Sequence, residues 1–174
     1  MKLQMQTTEF GDITPIQERI ENNSLKIDEI VDSIIEPYIK DLDKYITFIR
    51  TCLMDGENPA TTKELEDFCM NLSTYIYFAS GSCEHLGVRD DIAKSVYKEM
   101  YNANRNLIQK GTVADKDSLA ELQSQQEQII SICYTRAYKT MKAKVENAQE
   151  ILQSCKKVLS HRMQEEELTR IGGQ

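Results

Sequence analysis

Two histidines and five cysteines are the side chains of this 174-residue sequence best suited to metal or nucleophile chemistry. Cys83-x-His85 supplies two ligand atoms, whereas a structural zinc site takes four. The other cysteines, at 52, 69, 133 and 155, form no Cys-x-x-Cys pair, and their number with Cys83 is odd. A disulfide framework is therefore not expected, and reduced thiols packed in a core are. His161 lacks a glutamate three positions before it, so the Glu-x-x-His element of di-iron bundles is missing there. There is no Gly-rich phosphate loop, no His-Glu-x-x-His and no nucleophile elbow. No catalytic residue, metal ligand or cofactor is expected, and the chain reads as non-enzymatic. Arg89-Asp90-Asp91 follows Gly87 closely and reads as acidic groups favouring the positive end of a new helix. Glu165-Glu166-Glu167 reads as a solvated helical end.

Charge is the feature with functional reach. The chain carries a net charge of −7, yet residues 134–162 hold seven basic and two acidic side chains. Arg136, Lys139, Lys142, Lys156, Lys157 and Arg162 are the candidate phosphate contacts. At 100° per residue Arg136, Lys139, Lys142 and Lys157 fall opposite the apolar stripe Ala137, Met141, Val145 and Leu152, so they are expected to face solvent. Glu146 and Glu150 share that face, and Lys142 with Glu146 has the i,i+4 spacing expected of a helix-stabilising pair. Tyr134 and Tyr138 lie near the apolar side, where packing is the expected use rather than stacking on bases.

These residues need a long helix to position them. From Asp115 to Arg170 there is neither proline nor glycine, and apolar or small residues recur at steps of three, four or seven from Leu119 to Met163. Unbroken, its 56 residues would span about 84 Å, roughly twice the reach of any earlier predicted helix. A break near Gln123-Ser124-Gln125-Gln126 would let it fold back; an unbroken rod would need other subunits to cover its end. Either way, part of the stripe is expected to find a partner elsewhere, which predicts a homo-oligomer.

The preceding chain reads as material that packs on this helix. Residues 1–13 form a loose arm, and residues 14–174 one helical domain. Thr14-Pro15 predicts a short helix through Asn22, and Ser24 caps a second start. The apolar stripe from Ile27 to Leu53 holds its phase across Pro37, which predicts a kinked but continuous helix ending at Asp55-Gly56. A turn at 57–60 leads to a capping box, Thr61-Thr62-Lys63-Glu64, and a helix stopping at Gly87. The next helix runs from Asp90 and Asp91 to Leu107 and ends at Gly111, after which Thr112 or Asp115 caps the long helix. With seven glycines, three prolines and no tryptophan, the fold class is all-α: an elongated bundle of about four principal helices with a long C-terminal amphipathic helix. No run of about 18 apolar residues exists, and the first ten lack the apolar core of a secretory signal. A cytoplasmic protein without membrane contact is expected.

A helix bearing Tyr97 and Tyr101, a polar loop around Gly111 and a long helix ending in Ile151-Leu152, Cys155, Leu159 and Arg162 resemble the recombination mediators of T-even-type phages, the UvsY family. The resemblance covers about 75 of the 174 residues. It implies a small non-enzymatic helical protein that forms rings, binds single-stranded DNA and helps load a RecA-type recombinase. The implied partners are single-stranded DNA and a recombinase or single-strand-binding protein, in the host cytoplasm if the chain is phage-encoded. Two departures stand out: a long acidic N-terminal region, and a loop before the long helix without a basic-aromatic cluster. The rival expectation is a structural or scaffolding helical protein, of a virion for example, with no nucleic-acid role.

Overall fold

Apolar residues at helical spacing, scarce glycine and two side-chain caps produce four helices: α1 (Thr14–Met54), α2 (Thr62–Leu107), α3 (Val113–Gln123) and α4 (Gln125–Gly172). The computed structural model describes residues 14–56 and 59–172. No strand occurs among the described residues, so the all-α expectation holds. The expected arm at 1–13 and the start of the turn at 57–60 lie outside them.

The partition into helices differs from expectation at three places. First, the expected restart at Ser24 is absent. Ser24 Oγ donates to Asp28 Oδ2 within the helix at 3.4 Å, and the residues on both sides keep a single phase. α1 also runs through Pro37, as expected, and the hydrogen bond that proline cannot donate is lost on the exposed side. Second, Gly87 does not end a helix. A Cβ there would sit 3.2 Å from Tyr138 Cε2, so the glycine lets the Tyr138 ring lie against the α2 backbone. α2 continues for 46 residues, close to the 48 of α4, so the long C-terminal helix is not twice the length of its predecessors. Third, the Gln-rich run does break the helix, at Ser124. Its φ of −105° and ψ of 17° leave the helical region, and its N–H is shared between the carbonyls of Ala120 and Glu121 at 3.0 and 3.2 Å. Asn104 Nδ2 of α2 donates to the fully buried Ser124 Oγ at 2.9 Å. α3 and α4 both pack on α2, so the break does not send the chain back on itself.

Both expected caps form. Glu64 N–H donates to Thr61 Oγ1 at 3.3 Å while Glu64 Oε2 accepts from Thr61 N–H at 2.8 Å. Thr112 and Asp115 repeat the exchange ahead of α3. Gly111, with φ at +115°, makes the left-handed turn that precedes it.

Paired residues give the topology. Gly87 meets Tyr138, Asp90 meets Thr135 and Asn104 meets Ser124, so α2 and α4 are antiparallel. Tyr45 stacks at 5.0 Å on Tyr75 and Phe48 at 5.8 Å on Phe68, while Arg89 donates to Tyr38 Oη, so α1 is antiparallel to α2. Asp28 with Arg136 and Asp43 with Lys144 set α1 parallel to α4. Between the three long helices lie Ile35, Leu42, Ile49, Leu65, Leu72, Leu86, Met141 and Cys155, each 3% exposed or less. Each large apolar side chain so buried contributes about 1.5–3 kcal/mol.

Four cysteines, 69, 83, 133 and 155, sit in this interior and Cys52 at its margin. Burial pushes those four thiols up from their ordinary range, which keeps them protonated and unreactive.

Covering is incomplete at the ends. No residue of α1 before Val31 is buried, and Leu122, Ile130 and Met163 of the expected stripe are more than half exposed. Part of the stripe thus lacks an intrachain partner. No helix of the described residues is long and apolar enough to cross a membrane.

Candidate nucleic-acid interface

The stripe that buries Ala137, Met141, Val145, Ala148, Leu152 and Cys155 against α2 fixes which side chains of α4 point away. Lys139 and Lys157 stand on the opposite ridge and Lys142 on its flank on the side of Cys83 of α2; all three are exposed and make no ion pair among the described residues. Lys156 is exposed on one flank and equally without an ion pair. At 1.5 Å per residue, Lys139 and Lys142 are about 4.5 Å apart along the axis, and about 22 Å separates Lys142 from Lys157. Glu146 and Glu150 occupy the ridge between them, also exposed. The result is two short cationic patches with an acidic gap.

The other two candidates are placed differently. Arg136 points from the flank toward α1, where its Nη1 lies 3.7 Å from Asp28 Oδ1. Arg162 falls on the stripe side, half-buried, beside Glu165, Glu166 and Thr169 in a shallow groove. The ridge therefore holds Lys139 and Lys157, with Lys142 and Lys156 on its flank, while Arg136 pairs with Asp28 and Arg162 shares a groove with Glu165 and Glu166. Lys144, the seventh basic residue of the segment, donates to Asp43 Oδ2 at 2.5 Å. Which of the seven would be spent on α1 was not visible in sequence, because helix phase gives the direction of a side chain and not the helix lying there. Tyr134 and Tyr138 are half-buried against the core, as their phase predicts.

Two polar clusters tie the helices together. Asp90, expected at a helix start, is instead mid-helix and 4% exposed. Its carboxylate accepts from Thr135 Oγ1 at 2.6 Å and from Lys94 Nζ at 2.7 Å. Gly87 misled the sequence reading here, since a glycine admitting a neighbouring ring looks the same as a glycine ending a helix. Near the α2–α3 loop, Arg105 Nε and Tyr101 Oη both donate to Asp117 Oδ1. The hydrogen bond from Arg105 holds the Asp117 carboxyl below its usual range.

The described residues contain no cluster of three or more His, Cys, Asp or Glu side chains able to hold a metal ion. His85 and His161 are both exposed. A groove of about 680 Å³ runs along α1 beside Lys144, and in it Lys40 pairs with Glu36 and Lys144 with Asp43. Compared with family models, curated proteins and solved structures, the chain matches none.

Proposed function

We propose that the protein is a non-enzymatic helical assembly protein that holds single-stranded DNA along the outer ridge of α4 when several copies come together. The observation that carries this reading is the set Lys139, Lys142, Lys156 and Lys157, exposed and free of ion pairs among the described residues of a chain with net charge −7. In an acidic protein, cations left unpaired on one ridge are available for phosphates. One ridge makes only a few contacts, so affinity depends on joining ridges in an oligomer, where each further contact is effectively intramolecular. The sequence resemblance supports a recombinase or single-strand-binding protein as the protein partner, and with it a role in phage-type recombination in the cytoplasm.

A fluorescent oligonucleotide titrated across a salt series tests the ridge. Replacing Lys139, Lys142 and Lys157 together by Gln leaves helicity unchanged, because Gln is nearly as good a helix former and all three positions are exposed. For three lost phosphate contacts, the slope of log affinity against log salt on single strands shrinks by about 2. Unchanged affinity and slope would remove the ridge from the mechanism. No binding by the parent protein at low salt would favour the second reading, a scaffold without nucleic acid. Large apolar side chains left on the outside of α2 support that second reading independently: Met70, Tyr77, Phe78, Val88 and Ile92 are each more than half exposed.

A further inference from the structure

A glycine inside a helix costs about 1 kcal/mol relative to alanine, so each one in α2 asks for a reason. Gly87 has one in the Tyr138 ring. Gly81 has none within the chain, since a Cβ there would meet nothing within 4 Å. It sits opposite the buried stripe Leu72, Ile76, Ala79 and Cys83, at the middle of the solvent face of α2.

That face carries a second stripe. Lys63, Asp67, Met70, Thr74, Tyr77, Gly81, His85, Val88, Ile92, Ser95 and Glu99 all lie within about 40° of one line at 100° per residue. Met70 is 71% exposed, Tyr77 75%, Val88 58% and Ile92 56%. Steps of three and four along such a line are the spacing of a helix–helix seam, and every one of these positions is exposed.

The stripe is also self-complementary. Positions equidistant from Gly81 pair Met70 with Ile92, Thr74 with Val88, Tyr77 with His85, and at the two ends Lys63 with Glu99. Met70 with Ile92 sets apolar on apolar, Asp67 falls opposite Ser95, and at the ends a cation meets an anion. We infer that the outer face of α2 is a self-association surface, on which a second copy of this chain lies antiparallel with the twofold axis at Gly81. Met70 then packs on the partner's Ile92, and Lys63 faces the partner's Glu99. Each contact occurs twice, as an isologous interface requires. Gly81 at the axis lets the two backbones approach where any side chain would hold them apart. The seam from Lys63 to Glu99 spans about 54 Å.

This surface supplies one of the contacts that the proposed function needs, and it lies on the side of α2 away from α4. The two ideas therefore fail separately. Sedimentation equilibrium of the full chain at 1–100 µM in moderate salt tests the seam, with circular dichroism as the check on folding. The parent is expected to dimerise or associate further through dimers. Gly81→Gln, which meets no intrachain atom, is expected to keep full helicity and to weaken association at least tenfold. Lys63→Glu alone and Glu99→Lys alone each set like charges against one another at both ends, and each weakens association several-fold. The double exchange K63E/E99K restores it to within about threefold of the parent. A parent that is monomeric at 100 µM, or Gly81→Gln without effect on a folded oligomer, would overturn the seam. A double exchange as weak as the single ones would overturn the antiparallel register.

Discussion

Asp117 shows how a side chain at an element boundary sets a pH response. Its carboxylate accepts from Arg105 and Tyr101, and the Arg105 hydrogen bond depresses its pKa; backbone N–H donors do the same for Asp115 and Glu64 in their caps. A carboxyl depressed in the folded state stabilises the fold above its unfolded value, about 4, and that contribution disappears as pH falls through the lower folded value. Replacing Asp117 by Asn should therefore lower the urea midpoint near pH 7 and leave it little changed near pH 2. A gap between variant and parent that is constant from pH 7 to pH 2 would show that the Arg105 contact does not depend on the charge of Asp117. At this scale the sequence was partly legible. Cys69, Cys83, Cys133 and Cys155 were placed in the core by phase alone, and Thr61 with Glu64 by cap chemistry. Arg136 and Lys144 were read only as basic, because the carboxylates they meet, Asp28 and Asp43, are about a hundred residues away in sequence.

Glycine decided where the elements were read correctly and where they were not. Gly111 turns the chain with a positive φ and ends an element as expected, whereas Gly81 and Gly87 lie inside α2. Those two are distinguishable by substitution at a concentration where the chain is monomeric. Gly81→Ala adds a methyl to open space and should raise stability by about 1 kcal/mol through helix propensity alone. Gly87→Ala adds the same methyl 3.2 Å from the Tyr138 ring, which must yield, so its gain should be smaller by about 1 kcal/mol or turn into a loss. Denaturant midpoints of the two variants measure this. Equal gains would mean that Tyr138 moves aside freely and that Gly87 is not needed for the α2–α4 contact. The break at Ser124 was one of two outcomes the sequence left open, because the run Gln123–Gln126 has no apolar member to hold the phase. Its consequence was not legible, because only Asn104 of α2, reaching Ser124 Oγ, shows that the joint is held in place.

Across the whole molecule the class and the stripes came from periodicity, while the arrangement of helices came from contacts that periodicity does not encode. A repeating stripe says that α2 and α4 pair; it does not say at which turn. Two helices of 46 and 48 residues, with Leu, Ile, Ala and Cys recurring along both, could in principle slide past one another by a turn, about 5.4 Å, and still bury apolar surface. Asp90 removes that freedom. In the observed alignment its buried carboxylate accepts from Thr135 Oγ1, and a slip of one turn toward Lys139 would remove that donor at a cost of about 1–3 kcal/mol. Thr135→Val, equal in shape and without the hydroxyl, should lower stability by a similar amount. Paired with Asp90→Leu, it should recover much of that stability and give up uniqueness, visible as doubled or broadened amide resonances along α4. A double variant with one sharp set of resonances would assign the alignment to shape alone, with the Tyr138 ring over Gly87 as its peg. In the native chain the buried carboxylate acts as a vernier mark: it adds little to how tightly the two long helices adhere and selects the single offset at which they come to rest.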